Sequence, residues 1–462
     1  MQNLQAGTGS IDITPPLGTL VNGDFITHYA TTIHQPLFAK ALVLQNDGIR
    51  IAICVVDICA MRRSLIDEIK SLVEKYTGIP KEQVLISSTH THAAGSVESL
   101  LLGAADLPYR LSLPEKIAAV IAGANERLQP AKVGFNSIDI PEYVLCRRYR
   151  MKPEYQTLNP VTGKPDQLKT NPFGAEGLIL EPTSTPDPGF AYLAVKTLDD
   201  EWLCLLANYS LHYVGDWPAG TISPDYFGAF ARQITSKLNV GNDFLAMLSN
   251  GTSGEVNIWD FLHPNRFPTE HHAKSELIAA AIAEKVIQSL EDIQWENEPV
   301  ISSRYVDLAS GVRKPSSDDL EKAKALVKDS SYEQLEGIDY ETMRKLYARE
   351  TVLLNEFPDE IKFPVQLLQI GSIRIGALGG EFFAETGLAL KSLPKGKKYF
   401  TITLANDYVG YVCPEHELEK GGYETWTCRT SYLEPAAESK IRASLAEMIQ
   451  EAADMSTLSN RR

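Results

Sequence analysis

The chain has 462 residues, of which 44% are hydrophobic and 22% are charged, and its net charge is −15. This composition is typical of a globular protein, and the acidic balance excludes nucleic acid as a partner. No apolar run is long enough to predict a transmembrane helix. The N-terminus lacks the features of a signal peptide. We therefore expect a cytoplasmic location, or a secreted or periplasmic one if a signal peptide has been cleaved off. The sequence does not indicate the oligomeric state.

The first third of the chain alternates predicted strands and helices. The segments AKALVLQ and IRIAICVVDI predict two strands that are joined by a turn at Asn46-Asp47-Gly48. A helix over RRSLIDEIKSLVEKYTGIP ends at Gly78, and it is followed by the strand QVLISS and a second helix over PEKIAAVIAGANERL. This alternation predicts a mixed α/β fold, with layered β-sheets flanked by helices.

The middle of the chain changes in character. Residues 142–188 are rich in Pro, Gly, Asn and Thr, which predicts long ordered loops. Strands are predicted again over FAYLAVKTL, WLCLLANYSLH and DFLAMLSNG, and helices over 271–290, 316–327 and 340–354. We expect residues 265–360 to form a helical insertion or cap within one domain of residues 1–462. A hairpin around Gly371 and a final helix from about residue 436 complete the predicted elements.

Two of the nine histidines lie one residue apart in ISSTHTHAAG, directly after the strand QVLISS. Side chains at positions i and i+2 of a strand share a face, so His90 and His92 are expected to converge. Imidazoles at the end of a strand suit zinc. Other polar side chains at predicted strand ends are His212, Glu381, Tyr408 and Tyr411. The alternatives are hydrogen-bonded histidines, a helix-capping glutamate and packed tyrosines. Together, these residues predict an open metal site at strand ends.

Several segments, in matching order, resemble motifs of the neutral, non-lysosomal ceramidase family. GTGSIDITPPLG resembles the family's G-x-G-x-x-D-I-T-P-P, and ISSTHTHAAG resembles its I-S-x-T-H-T-H-S/A-G. NYSLHYVG, GGEFFAETG, NDYVGYV and GGYET resemble four later motifs. The resemblance covers most of the chain and implies a single ceramidase-like catalytic domain over residues 1–462.

The resemblance also implies a site and a reaction. The implied zinc ligands are His90, His212, Glu381 and Tyr411, and the implied pocket residues are His92, Arg147 and Tyr423. The implied activity is zinc-dependent hydrolysis of an amide bond in an N-acyl substrate by metal-activated water. The substrate would be a small molecule or a lipid. The resemblance to ceramidases also implies a role in sphingolipid metabolism.

The chain departs from the family pattern in two ways. Asn257 stands where the family has a catalytic serine, while Ser253 lies out of register with that position. Asn257 could donate a hydrogen bond to an oxyanion, but it cannot act as a nucleophile. We also expect the family's C-terminal immunoglobulin-like domain to be absent, because one predicted helix follows the GGYET segment. Two alternatives therefore stay open: a zinc-dependent esterase or lactonase acting on a non-lipid substrate, and a catalytically impaired homologue that binds a lipid or glycan.

Overall fold

Two β-sheets packed face to face form the centre of the molecule. The computed structural model describes residues 4–459 except 24, 27, 157, 242, 333, 334, 336 and 394–397. The strands of the larger sheet are β1 (Gln5–Asp12), β2 (Phe38–Asn46), β3 (Ile49–Val56), β4 (Val84–Ser88), β5 (Gln129–Asp139), β6 (Gly189–Thr197), β7 (Trp202–Tyr209), β8 (Leu245–Asn250) and β9 (Gln294–Glu296). Their order is β8-β7-β6-β5-β1-β2-β3-β4, and β9 pairs with β5.

The smaller sheet has four strands. They are β10 (Ile301–Gly311), β11 (Glu360–Ile370), β12 (Ile373–Leu378) and β13 (Tyr399–Ile402), in that order across the sheet. Both predicted hairpins are present. Asp47 and Gly48 have positive φ between β2 and β3, as a two-residue type I′ turn requires, and Gly371 has φ 58° between β11 and β12.

Helices cover the outer faces of the two sheets. The helices of the described residues are α1 (Arg63–Thr77), α2 (Leu107–Glu126), α3 (Asp225–Leu238), α4 (Ala273–Ser289), α5 (Ser317–Lys328), α6 (Tyr340–Asn355), α7 (Ala384–Lys391), α8 (Glu415–Leu418) and α9 (Ala437–Ser459), and not all of them contact a sheet. The pairs α1–α2 and α3–α4 pack on different halves of the larger sheet, and α9 packs on the smaller one. Apolar side chains such as Leu42, Ile53, Ile375 and Phe400 fill the space between the sheets. The predicted layered, mixed α/β fold is confirmed.

Short strands and loops surround one end of this sandwich. The short strands are Leu20–Asn22, His28–Tyr29, Thr32–Ile33, Ala94–Gly95, Leu145–Cys146, Arg148–Met151, Lys169–Thr170, Ile179–Pro182, Thr221–Ile222, Val256–Asn257, Glu381–Phe382 and Tyr411–Val412. Most of 142–188 consists of such short pieces and connecting loops, as its composition predicts. Two short pairings matter for the site, because they join Leu145–Cys146 to Val256–Asn257 and Glu381–Phe382 to Tyr411–Val412.

The segment 265–360 contains elements of several kinds. Helix α4 packs on the larger sheet, while β9 and β10 extend the two sheets. Helices α5 and α6 pack against each other, and α6 contacts Trp426 through Tyr347. The assignment of one domain with a helical insertion stays a prediction. In the part of the chain that the structure describes, no helix combines the length and apolar character needed to cross a bilayer.

Candidate metal centre

Three buried side chains from two sheets meet at one end of the sandwich. His90 follows β4, His212 follows β7 and Glu381 follows β12, each two or three residues beyond the last strand residue. Their ligand atoms all lie within 4.8 Å of one another. The strand ends predicted from the sequence therefore converge on a group of two imidazoles and one carboxylate.

The two neighbouring histidines come together for a different reason from the predicted one. Strand β4 ends at Ser88, and His90 lies beyond it in the left-handed region, with φ 73°. The prediction that strand alternation puts His90 and His92 on one face is therefore wrong. Their Nε2 atoms nevertheless lie 3.2 Å apart, because the turn at His90 redirects the chain. Such a conformation costs about 1–3 kcal/mol for a residue other than glycine and is frequent at functional sites.

Backbone carbonyl groups orient the two ligand imidazoles. Nδ1 of His90 donates to the carbonyl of Cys59 at 2.7 Å, and Nδ1 of His212 donates to the carbonyl of Ser253 at 3.0 Å. A proton on Nδ1 leaves the lone pair on Nε2, which is the usual arrangement of metal-binding histidines. The two Nε2 atoms lie 3.4 Å and 3.6 Å from Oε2 of Glu381.

The two carboxylate oxygens of Glu381 differ in their hydrogen bonding. Its Oε1 accepts a hydrogen bond from the Tyr408 hydroxyl at 2.8 Å. Its Oε2 is buried and has no hydrogen-bond partner among the described residues. An ion with ligand bonds of about 2.0–2.1 Å in a tetrahedral site would keep neighbouring ligand atoms about 3.3 Å apart. The three side chains fit a zinc-like ion, which would give the buried oxygen a partner.

The electrostatic environment shifts the pKa values of the three candidate ligands in different directions. Although burial alone would raise the pKa of Glu381, His90 and Arg147 hold that pKa below its ordinary value. Burial, reinforced by Arg147, lowers the pKa of His212. Burial opposes the charge of His90, yet the Glu381 carboxylate raises the pKa of His90 well above its usual range. An ionised carboxylate beside imidazoles is a donor set that zinc accepts.

The two tyrosines after β13 have different surroundings. Tyr408 contacts Glu381 directly, whereas the Tyr411 hydroxyl accepts from the guanidinium of Arg147 at 3.0 Å. Tyr411 is also backbone-paired with Glu381 in a short parallel ladder. The structure therefore puts Tyr408 in contact with a ligand, and Tyr411 between Arg147 and the ligand strand. Tyr411 as the fourth ligand stays a prediction.

We expect Tyr408→Phe to weaken metal binding about 10–100-fold, because its hydroxyl orients the ligand carboxylate. Titration of the chelator-treated protein with Zn²⁺ measures this affinity. Tyr399→Phe is a matched control, because it removes another buried hydroxyl, which is hydrogen-bonded to Thr401 rather than to Glu381. Equal affinities in the two variants would contradict a positioning role for Tyr408. Tyr411→Phe in the same titration tests whether that hydroxyl is a ligand.

Arg147 is held in a buried ionic network. Its Nε donates to Glu424 at 2.8 Å, and one of its terminal nitrogens donates to both the Tyr411 hydroxyl and the Gly254 carbonyl. The other oxygen of Glu424 accepts from Arg148 at 2.7 Å and from Thr170 at 2.7 Å. Arg147 therefore reaches the edge of the metal centre, and Glu424 fixes its position.

His92 lies between the ligand group and an aromatic surface. Its ring is partly exposed and stacks on Tyr213, with ring centroids 3.7 Å apart. Tyr423 is also partly exposed, and its ring contacts Tyr411 and Phe25. Two of the three predicted pocket residues, His92 and Tyr423, are thus partly exposed, whereas Arg147 is buried.

Neither Asn257 nor Ser253 lies where a catalytic serine beside the metal would be expected. The side-chain amide of Asn257 donates to Asn171 at 2.7 Å, and its oxygen accepts from the backbone of Trp259. Among the described contacts, Asn257 touches none of the three ligand side chains. The Ser253 hydroxyl lies 3.5 Å from Nδ1 of His212, on the ring edge opposite the Nε2 atom that faces Glu381. Neither side chain is placed to act as the missing serine.

Four contributors to the site were not predicted. They are the Cys59 carbonyl, Tyr213, Tyr408 as a ligand contact, and Glu424. Tyr213 directly follows His212, and Glu424 directly follows Tyr423, so both stood next to predicted residues. The sequence therefore offered a hint of Tyr213 and Glu424, whereas the role of a backbone carbonyl cannot be inferred from residue types.

Comparison with solved structures identifies the fold. No family model matches the sequence, and curated proteins give no sequence match. A ceramidase complexed with C2 matches with a TM-score of 0.70 and 16% identity, over 98% of this chain and 76% of the other. The neutral ceramidase from Pseudomonas aeruginosa matches with a TM-score of 0.70 and 16% identity, over 97% of this chain and 74% of the other. The chain therefore has the fold of the neutral ceramidases.

Proposed function

We propose that the protein is a zinc-dependent hydrolase that cleaves the amide bond of a ceramide-like N-acyl substrate. The observation that carries the proposal is the buried Oε2 of Glu381, which faces two imidazole Nε2 atoms and has no hydrogen-bond partner among the described residues. The proteins with the same fold are named as ceramidases, which supports an amide substrate.

His90, His212 and Glu381 would hold the metal, with Tyr411 as the proposed fourth ligand. Zinc in such a site supplies Lewis-acid activation of a carbonyl group and of water. The chain's own residues then orient the substrate and move protons. Arg147 presents a fixed positive charge beside Tyr411, where it can stabilise negative charge that develops on a carbonyl oxygen.

His92 is the proposed proton carrier. Its Nε2 lies 3.2 Å from Nε2 of His90, and its ring is held against Tyr213 on the accessible side. A group in this position can take a proton at Nε2 and deliver it to a leaving amine within reach. Asn257 as an oxyanion donor and Tyr423 as a pocket residue complete the proposal. Because Ser253 lies behind His212, we propose direct attack by water, without an acyl-enzyme.

A cavity near His92 supports a substrate with an apolar body. It has a volume of about 400 Å³, and its aromatic lining includes Trp217, Trp259 and Phe173. Tyr213 does not line this cavity, but its ring lies near both places, with its centroid 3.7 Å from that of His92 and 6.1 Å from that of Trp217. Aromatic rings of this kind provide large apolar contact area for a ligand.

We expect the purified protein to hydrolyse a short-chain N-acylsphingosine, to lose this activity with a chelator and to recover it with Zn²⁺. The same panel should contain the matched ester, a lactone and a free N-acyl amino acid, so that the preferred bond is measured directly. Hydroxylamine added during turnover should trap no hydroxamate, since water attacks directly. Bound zinc without turnover on any substrate would contradict the proposal and favour a binding protein.

A further inference from the structure

A short segment, residues 253–255, contacts both ligand-bearing regions of the metal centre. It lies just beyond the end of β8. The carbonyl of Ser253 accepts a hydrogen bond from Nδ1 of His212 at 3.0 Å. The backbone N–H of Gly254 donates at 2.8 Å to the carbonyl of Phe382, in the short strand that carries the carboxylate ligand. The segment therefore connects the imidazole that follows β7 of the larger sheet to the carboxylate that follows β12 of the smaller one.

The same segment holds Arg147 in two places. The backbone N–H of Arg147 donates to the carbonyl of Glu255 at 2.9 Å, and a terminal nitrogen of its guanidinium donates to the carbonyl of Gly254 at 2.6 Å. The pairing of Leu145–Cys146 with Val256–Asn257 continues this contact on both chains. A shift of the segment would therefore move Arg147 relative to the ligands.

The side chain of Glu255 connects the segment to helix α7. Glu255 is fully buried, and its two oxygens accept from the backbone N–H of Ala384 at 3.1 Å and 3.0 Å. Ala384 is the first residue of α7, so its N–H has no acceptor within the helix, and Phe383 before it provides no side-chain cap. Because α7 begins three residues after Glu381, this hydrogen bond holds the ligand strand at its far end.

The contact between the segment and the ligand strand is too close for a side chain at position 254. A Cβ atom on Gly254 would lie 2.9 Å from the carbonyl oxygen of Glu381 and 3.1 Å from that of Phe382. Glycine permits this approach of two backbones, and a larger residue would force them apart.

We propose that Glu255 is a positioning residue, which fixes Glu381 and Arg147 relative to His212 through the 253–255 segment. It acts through the backbone N–H of Ala384 and touches none of the three ligand side chains among the described contacts. This inference rests on the proposed function, because it concerns the same metal centre. Groups that orient metal ligands in this way contribute about 10–100-fold to metal affinity.

Titration of the chelator-treated protein with Zn²⁺ tests the proposal. Glu255→Met keeps a side chain of similar length and removes the acceptor, so the Zn²⁺ affinity should fall about 10–100-fold. Glu255→Gln keeps an oxygen for Ala384 and should stay within about threefold of the wild type. Burial raises the pKa of Glu255 to about 7, so a neutral side chain is compatible with this contact at neutral pH. Gly254→Ala should weaken binding as much as Glu255→Met, because it separates the two backbones.

Two matched controls separate positioning from general destabilisation. Glu438→Met removes another buried acceptor from α7, where Glu438 accepts from the Thr386 hydroxyl at 2.7 Å. Gly9→Ala creates a similarly close contact, 2.8 Å from the carbonyl oxygen of Val120, between β1 and α2. Both variants should keep the wild-type Zn²⁺ affinity. Unfolding in guanidinium chloride shows that each variant is folded before it is titrated.

Unchanged Zn²⁺ affinity in Glu255→Met and Gly254→Ala would overturn the inference. An equal loss of affinity in Glu438→Met, or in Glu255→Gln, would also overturn it, because the acceptor at position 255 would then have no specific role. Gly254→Ala keeps the test decisive if Glu255→Met does not fold. A wild type that binds Zn²⁺ and hydrolyses no substrate would contradict the proposed function alone, whereas a wild type that binds no Zn²⁺ would overturn both.

Discussion

Replacing His90 by asparagine should abolish zinc binding, whereas the same replacement of His92 should leave most of it in place. Asparagine tolerates the left-handed conformation that His90 adopts, at φ 73°. Its amide can also replace Nδ1 as the donor to the Cys59 carbonyl. The variant therefore removes little except the Nε2 ligand. We expect the zinc content after dialysis to fall below about a tenth of the wild-type value, as the loss of one of few protein ligands implies.

His92→Asn is the matched variant on the other side of the site. His92 contacts His90 through Nε2 and stacks on Tyr213, but its ring centroid is 6.1 Å from that of His212, against 4.6 Å for His90. We expect it to retain zinc and to lose about 10²–10⁴-fold in turnover, the usual contribution of a proton carrier. Elemental analysis and steady-state kinetics separate the two effects. Equal loss of zinc in the two variants would show that His92 is itself a ligand.

The sequence predicts the strand ends at which His90, His212 and Glu381 lie, because each follows an apolar run with a clear boundary. Their convergence could be inferred only from the family resemblance, since it depends on how the two sheets pack against each other. The local geometry could not be inferred. His90 leaves the strand through a left-handed turn, and no local pattern in ISSTHTHAAG marks a positive φ at a histidine.

The residues that contact the candidate ligands are the least predictable part of the site. Tyr408 and Tyr411 stand three residues apart in one motif, and the sequence favoured Tyr411 by resemblance alone. The structure separates their contacts, and the backbone passes through positive φ at Gly410, which lies between the two residues. Glu424 was hidden for a related reason. Its partners Arg147 and Arg148 lie more than 270 residues away in the chain.

The second large effect that we predict is a loss of stability when the buried ion pairs of Glu424 are broken. We expect Glu424→Gln to lower the free energy of unfolding by about 3–5 kcal/mol, the usual cost of removing one partner from a buried ion pair. Glu424 is fully buried between Arg147 and Arg148, and the substitution would leave two guanidinium groups facing a neutral amide. Guanidinium chloride unfolding at pH 7 measures the change.

Glu181→Gln is the matched control, because Glu181 pairs with Arg150 at 2.8 Å with both side chains about 60% exposed. Water and salt screen such a pair, so it should contribute less than about 1 kcal/mol. The two pairs thus share chemistry and distance and differ in burial. Similar effects of the two substitutions would show that the buried network does not stabilise the fold.

The pH dependence of the destabilisation by Glu424→Gln tests whether the charge of Glu424 is responsible for it. Burial alone would raise the pKa of Glu424, but Arg147 and Arg148 hold that pKa below its ordinary value. A carboxyl group whose pKa is lower in the folded state stabilises the protein above the unfolded pKa of about 4.3 and loses this contribution as the pH falls further. The destabilisation by Glu424→Gln should therefore be full at pH 7 and shrink below about pH 4, as wild-type Glu424 also becomes protonated. A pH-independent difference would instead indicate that the lost contribution comes from the shape of the side chain, because charge can act only while the wild-type carboxylate is ionised.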